Sequence, residues 1–155
     1  DAGAALTRLV AAADKAGAGE LAITSGYRSY DNQALQYSGR VAALGRTEAD
    51  ALSARPGFSE HQSGLAADLV ACDGGCGSVE QLGSTAQGRW LAKNAWRYGF
   101  IVRYEKGATD TTGYSPEPWH IRYIGVALAT AYHDGGYHTL EDFWGLPAAP
   151  DYVGD

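Results

Sequence analysis

The chain has 155 residues, of which 45% are apolar and 19% are charged. This length and composition suffice for one hydrophobic core and exclude a disordered segment. The formal net charge of −6 excludes nucleic acid and anionic membranes as main partners, because both attract basic surfaces. No uncharged apolar run approaches the roughly 20 residues that span a bilayer, so we expect no transmembrane segment in this chain.

The first half of the chain predicts a helix, a strand and a second helix. Apolar spacing predicts an amphipathic helix over 6–13 and a short strand over 21–24. The second helix is predicted to begin at an N-cap, Asp31, and to end at Gly45. One face of this helix carries small and apolar residues, namely Ala34, Leu35, Ser38, Val41 and Ala42.

The second half predicts a loop over 59–64, strands over 65–71, 100–104 and 120–124, and helices between and after them. A capping box at 84–87 is expected to begin the helix that ends at Gly99, and a last helical turn is expected after Thr139. No repeat or linker divides the sequence, so we predict one domain over 1–155. Because several connections lack a crossover helix, the predicted class is α+β.

Cys72 and Cys76 enclose three residues, two of which are glycines. A disulfide ring of this size stabilises by about 2 kcal/mol and would fix a local loop. A zinc knuckle needs four ligands, and no second pair lies nearby, so we favour the disulfide; a pair of buried thiols is the third alternative. A disulfide predicts an extracytoplasmic location. Since the sequence has no methionine, we also expect that a leader or upstream segment preceded residue 1.

The segment 59–68 contains a histidine and an aspartate that could bind one metal ion. A turn at Gly64 would bring Asp68 back alongside His61, and imidazole and carboxylate are both zinc ligands. The small residues at 66 and 67 leave room for a metal ion and a substrate. Glu60, although next to His61, is interpreted as an exposed loop charge without a role.

The segment 117–120 adds a carboxylate and a second histidine. Pro118 disfavours helix at Glu117, which excludes the helical HExxH arrangement and predicts that Glu117 lies in a loop before a strand that begins at His120. His120 would then supply a third metal ligand, while Glu117 faces the fourth, open position. Three protein ligands with one open position are typical of catalytic zinc, and an adjacent carboxylate serves proton transfer.

Three segments carry a family resemblance: SGYRS at 25–29, SEHQSGLAAD at 59–68 and EPWH at 117–120. They resemble the signatures of VanY-type zinc D-alanyl-D-alanine carboxypeptidases, which share a core with lysostaphin-type enzymes and Hedgehog. The resemblance implies a small antiparallel sheet with flanking helices and a zinc site at one face of the sheet. It implies roles for nine residues: zinc ligands His61, Asp68 and His120; base Glu117; oxyanion-stabilising Arg28; substrate neighbours Tyr27, Gln33, Ser59 and Trp119.

The function predicted from these residues is hydrolysis of the C-terminal D-alanine from peptidoglycan stem peptides, by a monomer. In this reaction Glu117 would take a proton from zinc-bound water, and Arg28 and zinc would stabilise the oxyanion. Two related alternatives are an L,D-carboxypeptidase and an endopeptidase that cuts within the stem. A zinc-stabilised binding module without turnover is the third alternative, but such a module would need neither Glu117 nor Arg28.

Overall fold

Four strands form one antiparallel sheet in the computed structural model, which describes residues 1–152. The strands are β1 (Glu20–Ser25), β2 (Ala66–Cys72), β3 (Phe100–Tyr104) and β4 (Glu117–Tyr123). Their order across the sheet is β1-β2-β4-β3, so β2 and β4 lie at the centre. The predicted α+β class is confirmed, and the last three residues of the predicted 1–155 domain lie outside the described residues.

Helices and 3₁₀ turns connect the strands. The helices are α1 (Ala2–Lys15), α2 (Tyr30–Leu44), α3 (Arg46–Leu52), α4 (Ala86–Asn94), α5 (Thr109–Thr112), α6 (Val126–Asp134) and α7 (Leu140–Trp144). The 3₁₀ turns are Glu60–Ser63, Val79–Ser84 and Ala95–Tyr98. Within residues 1–152, no helix combines the length and the apolar character that crossing a membrane requires.

The main hydrophobic core lies between one face of the sheet and helices α1 and α4. Its buried members include Leu9, Leu69, Leu91, Phe100 and Ile121. Burying one such side chain contributes about 1.5–3 kcal/mol, so this core holds the central strands rigidly. Because side chains alternate along a strand, the residues next to Leu69 and Ile121 point to the opposite face of the sheet. These residues are Asp68 and His120.

Helix α2 differs from its prediction at its start and on its buried side. Ser29 is the N-cap, because its Oγ accepts a hydrogen bond of 3.2 Å from the backbone N of Asn32; the expected cap, Asp31, lies within the helix. The expected apolar face is not buried, since Leu35 is 71% exposed. The buried residue of α2 is Gln33, because the inward side of this helix contacts polar groups of the site.

Two expectations for the second half are also corrected. Helix α4 is capped by Thr85, whose Oγ1 accepts from the backbone N of Gly88 at 3.0 Å; the described capping box is formed by Ser78 and Gln81 in the preceding 3₁₀ turn. The expected loop over 59–64 contains the 3₁₀ turn Glu60–Ser63. A single 3₁₀ turn has no apolar periodicity that the sequence could have revealed.

Glu117 begins strand β4 and pairs with Tyr104, so its expected position in a loop is wrong. The pairing between β3 and β4 shifts register between Val102 and Tyr104. Proline cannot donate to a strand ladder, but it is tolerated at strand ends and beside such irregularities. The register shift therefore explains how Pro118 fits in β4, and it places Glu117 near His120.

Candidate metal centre and active site

Two histidines and one aspartate meet on the face of the sheet opposite the main core. Asp68 and His120 are paired across β2 and β4, and His61 comes from the 3₁₀ turn that precedes β2. The possible ligand atoms of these three residues all lie within 4.8 Å of one another. Two imidazoles and one carboxylate match the ligand types of catalytic zinc sites, which keep a further position open. This cluster could therefore hold one metal ion.

Hydrogen bonds orient both imidazoles toward the aspartate. Nδ1 of His61 donates to the carbonyl O of Gly26 at 2.7 Å, so that Nε2 faces Oδ2 of Asp68 at 3.2 Å. Nε2 of His120 donates to Oε2 of Glu60 at 3.1 Å, so that Nδ1 faces Oδ1 of Asp68 at 3.1 Å. In metal sites the second ring nitrogen of a ligating histidine is usually held in this way by a carbonyl or carboxylate.

The electrostatics of the cluster favour a cation. Burial alone would lower the pKa of His120, but the carboxylates of Asp68 and Glu60 raise it to about 9. Burial alone would raise the pKa of Asp68, but hydrogen bonds from His120 and His61 lower it well below its usual range. Asp68 therefore stays ionised, and the negative potential that favours a proton on His120 also favours a metal ion.

Glu117 lies beside the cluster without joining it. Its Oε2 is 3.8 Å from Nδ1 of His120. Burial raises the pKa of Glu117 to about 7; the charge of Asp68 adds to this rise, and His120 opposes it. A carboxylate with a pKa near neutrality exchanges a proton readily, which is the property that general acid–base catalysis requires.

Arg28 lies near the cluster and is held in place by two side chains. Its Nη1 donates to Oε1 of Gln33 at 2.9 Å, and its Nη2 donates to Oγ of Ser25 at 2.7 Å. Gln33 is fully buried, and its Nε2 donates to the carbonyl O of Ala54 at 2.7 Å. Gln33 thus connects Arg28 to the segment after α3. Burial lowers the pKa of Arg28, whereas the negative charge of Asp68 opposes this effect.

A cavity of about 320 Å³ brings most of the predicted site residues together. Those that line it are Arg28, Gln33, Ser59, His61, Asp68, Glu117, Trp119 and His120. Tyr27 is the exception, because its side chain is 73% exposed and it does not line the cavity. The lining also includes Arg40 of α2 and Tyr104 of β3, which the sequence did not single out. The roles that the sequence assigned to its nine candidate residues remain predictions.

Glu60 is not the exposed loop charge that the sequence indicated. Its side chain is 12% exposed and contacts His120, Arg103 and Arg122. Burial alone would raise the pKa of Glu60, but the hydrogen bond from His120 and the two arginines lower it to about 2. The only local signal for this role is its position next to His61, since all three partners lie far away in the chain.

The two cysteines form a disulfide at the end of β2. The sulfur atoms of Cys72 and Cys76 are bonded at 2.04 Å. The same two residues form an isolated antiparallel bridge, so the ring closes a tight loop around the intervening glycines. Neither cysteine is available as a metal ligand, and the zinc-knuckle alternative is excluded in this structure.

The fold and the three-ligand cluster define a class of protein: a small antiparallel sheet that carries a candidate metal centre on one face. A family model described as VanY, D-alanyl-D-alanine carboxypeptidase, matches residues 1–126. The chain therefore belongs to the VanY family. Among curated proteins, YodJ of Bacillus subtilis (strain 168) is 45% identical over 140 residues, which cover 90% of this chain and 50% of YodJ.

A D-alanyl-D-alanine carboxypeptidase of Enterococcus faecium is 39% identical over 120 residues, or 77% of this chain and 35% of that protein. The chain thus spans half or less of the length of these two curated relatives.

Solved structures extend the comparison. The LdcB LD-carboxypeptidase, described with the molecular basis of its peptidoglycan recognition, has a TM-score of 0.85 and 44% identity over 93% of this chain and 66% of that chain. VanYB in complex with D-alanine-D-alanine has a TM-score of 0.79 and 36% identity over 93% of this chain and 80% of the other.

A variant of the vancomycin resistance D,D-pentapeptidase VanY, in complex with Zn(II), has a TM-score of 0.78 and 36% identity; the match covers 92% of this chain and 81% of that one.

Proposed function

We propose that this chain is a zinc-dependent D,D-carboxypeptidase domain that removes the C-terminal D-alanine from peptidoglycan stem peptides. The observation that carries the proposal is the buried cluster of His61, Asp68 and His120 with the Glu117 carboxylate beside it. Membership of the VanY family and the relative in complex with Zn(II) support the same reaction and the same metal.

The residues of the chain have distinct parts in this reaction. His61, Asp68 and His120 would hold the zinc ion, which when bound activates water and polarises a carbonyl. Glu117 takes the proton from the attacking water and delivers it to the departing amine of D-alanine. Arg28, already oriented by Gln33 and Ser25, donates hydrogen bonds to the oxygen on which negative charge develops.

The charges in the cavity suit a substrate that ends in a carboxylate. A bound divalent cation and Arg28 together outweigh the negative charges of Asp68 and Glu117. Glu60 adds no free negative charge, because Arg103 and Arg122 both pair with it. Ser59 lines the cavity and offers a hydroxyl group to the substrate carboxylate. An acidic protein can therefore still bind a negatively charged peptide terminus at this site.

A second candidate is an L,D-carboxypeptidase, which would remove the remaining D-alanine from the tetrapeptide stem after the terminal D-alanine of the pentapeptide has been lost. Its support is the likeness to LdcB, whose TM-score and sequence identity both exceed those of VanYB. Both candidate reactions use the same ligands, base and cation. They differ in the residue that precedes the scissile bond, which is D-alanine in the first reaction and an L-amino acid in the second.

The test uses purified protein loaded with one equivalent of zinc and two stem peptides, a pentapeptide that ends in D-Ala-D-Ala and the corresponding tetrapeptide. Mass spectrometry should show that the pentapeptide loses one alanine. Shortening of the tetrapeptide alone would establish the L,D reaction instead. Cleavage into two peptide fragments would establish an endopeptidase, and no cleavage of either stem would overturn the proposal in favour of a binding module.

We also propose that the protein acts outside the cytosol as a monomer. The disulfide between Cys72 and Cys76 supports the first part, because such bonds persist in oxidising compartments. The substrate supports it as well, since peptidoglycan stems lie outside the cell membrane. Cell fractionation with an antibody to the chain, and light scattering of the purified protein, test location and oligomeric state separately.

A further inference from the structure

A continuous series of ion pairs leads away from the candidate metal centre. Oε2 of Glu60 accepts from Nε2 of His120 at 3.1 Å. The other oxygen, Oε1, accepts from Nε of Arg103 at 3.0 Å and from Nη1 of Arg122 at 2.8 Å. Both oxygens of this largely buried carboxylate are therefore occupied, one by a candidate zinc ligand and the other by two guanidinium groups.

Arg103 continues the series to the last helix. It is buried on β3, and its Nη1 and Nη2 donate to the two oxygens of Glu141 at 3.0 and 2.6 Å. This two-point contact fixes the plane of the guanidinium group, which in turn fixes Glu60. Glu141 lies on α7, beyond the residues 1–126 that match the family model. A helix beyond the residues that match the family model is thus linked to the metal centre through two side chains, Arg103 and Glu60.

We propose that Glu60 is a positioning residue for the metal centre: it fixes the ring of His120 so that Nδ1 points toward the zinc ion. Arg103 and Glu141 hold Glu60 in place. The inference rests on the zinc site of the proposed function. A neutral imidazole carries one proton, and an acceptor at Nε2 keeps the proton there and leaves the lone pair on Nδ1. The Glu60 carboxylate also makes the imidazole a stronger ligand.

The same contacts could in principle serve only the stability of the fold. The two roles differ in what they predict, because a structural ion pair affects unfolding, whereas a positioning residue affects the affinity and geometry of the bound metal. The substitution Glu60→Gln separates them. Glutamine keeps the size of the side chain but offers a single acceptor oxygen, which cannot serve both His120 and the arginines.

The experiment measures zinc affinity by competition with a chromophoric chelator. We expect Glu60→Gln to weaken zinc binding by about 10- to 100-fold, the usual effect of removing a partner of a ligating histidine. Glu20→Gln, the same change at an exposed residue of β1, is the matched control and should bind zinc as the unchanged protein does. The absorption spectrum of the Co²⁺-loaded protein should change in Glu60→Gln and not in Glu20→Gln.

Glu141→Gln tests the far end of the series. Because Glu141 does not contact the candidate metal ligands, a weaker but measurable loss of zinc affinity in Glu141→Gln supports the positioning role. This variant also tests the proposal if Glu60→Gln fails to fold. Circular dichroism of each variant checks folding. Unchanged zinc affinity and an unchanged Co²⁺ spectrum in Glu141→Gln and in folded Glu60→Gln would overturn the proposal.

These measurements do not depend on turnover. If the unchanged protein binds zinc but cleaves no stem peptide, the proposed function fails, while the affinity of the variants still decides the role of Glu60.

Discussion

Asp68 and His120 are direct partners across strands β2 and β4, and Oδ1 of Asp68 lies 3.1 Å from Nδ1 of His120. Their backbones belong to the two central strands of the sheet, whose opposite face packs into the main core. The separation of two candidate ligands is thus set by a hydrogen-bonded ladder and not by a mobile loop. His61 enters from the adjacent 3₁₀ turn and completes the cluster.

This relationship predicts the effect of Asp68→Asn on zinc binding. Asparagine lacks the negative charge that balances the metal ion, and it has one oxygen instead of two. Zinc affinity should therefore fall by more than the roughly 10- to 100-fold expected when a hydrogen-bond partner of a ligand is removed. In the unchanged protein, free zinc at about 100 times its Kd should stabilise the fold by about 2.7 kcal/mol, and a chelator should remove this effect. Thermal unfolding with zinc and with chelator measures both quantities.

Asp14→Asn, the same change at an exposed residue of α1, serves as its control. Zinc should stabilise this control as it does the unchanged protein. Equal stabilisation of Asp68→Asn would show that Asp68 is not a metal ligand.

Glu117→Gln is predicted to reduce turnover strongly without releasing zinc. The amide cannot accept the proton, and general acid–base catalysis contributes about 10²- to 10⁴-fold, so kcat should fall by that factor. Glu117 is not within the three-ligand cluster, so zinc affinity should stay the same. Release of D-alanine and chelator competition measure the two properties on one sample. Glu48→Gln on α3 is the exposed control, and full activity of Glu117→Gln would show that another group is the base.

The sequence predicted the candidate metal ligands, which the structure brings together, because the spacing within each segment is local. His61 and Asp68 flank one glycine turn, and Glu117 and His120 lie in one short segment, so the chemistry could be inferred before the fold was known. The prediction for the backbone of Glu117 is wrong. Pro118 indicates a loop before β4, whereas the register shift beside Tyr104 accommodates this proline within the strand. Such a shift depends on the partner strand and leaves no local signal.

The role of Glu60 could not be predicted for a similar reason. Its contacts with Arg103, His120 and Arg122 span 43, 60 and 62 positions of the chain. A glutamate next to two polar neighbours resembles a surface residue unless the pairing of β3 and β4 is known. The inward side of α2 was missed because Gln33 is polar, and burial of a polar residue depends on the Arg28 side chain that it contacts.

Arg28→Lys is predicted to reduce kcat by about 10²- to 10³-fold, the usual effect of losing a donor to a developing oxyanion. Lysine keeps the charge but has one nitrogen, so it cannot be held by Gln33 and Ser25 and also face the substrate as the guanidinium group does. Steady-state kinetics separates kcat from KM, and zinc affinity should not change.

Arg8→Lys, the same exchange at an exposed residue of α1, is the control. A rise in KM with unchanged kcat would instead assign Arg28 to substrate binding alone.

Asp50 is predicted to make stability depend on pH. Its carboxylate accepts from Arg55 at 3.0 and 2.8 Å and from the hydroxyl of Tyr37 at 2.7 Å. The hydrogen bond from Arg55 is the main cause that lowers the pKa of Asp50 in the folded state. Ionised Asp50 therefore stabilises the fold above its ordinary pKa of 3.8, and this contribution is lost as the pH falls through the lower, folded value.

Asp50→Asn should consequently be less stable than the unchanged protein at neutral pH, with a difference that shrinks in acid. Urea unfolding in the presence of chelator, at a series of pH values from neutral to strongly acidic, measures this difference. The curves of Asp14→Asn and the unchanged protein should stay parallel, because Asp14 is exposed. A difference between Asp50→Asn and the unchanged protein that stays constant in acid would contradict the assignment.

The disulfide is predicted to stabilise the end of β2 without affecting the reaction. Closing the ring between Cys72 and Cys76 should contribute about 2 kcal/mol, so the double variant Cys72→Ala/Cys76→Ala should unfold about 4–8 °C lower. Its kcat and zinc affinity should match those of the unchanged protein, since neither cysteine lines the cavity that contains the metal cluster.

Dithiothreitol should lower the melting temperature of the unchanged protein to that of the double variant and should leave the variant unaffected. If the reductant destabilised both proteins equally, the bond would have no stabilising role. A lower kcat in the double variant would show that the disulfide affects the geometry of the site through β2.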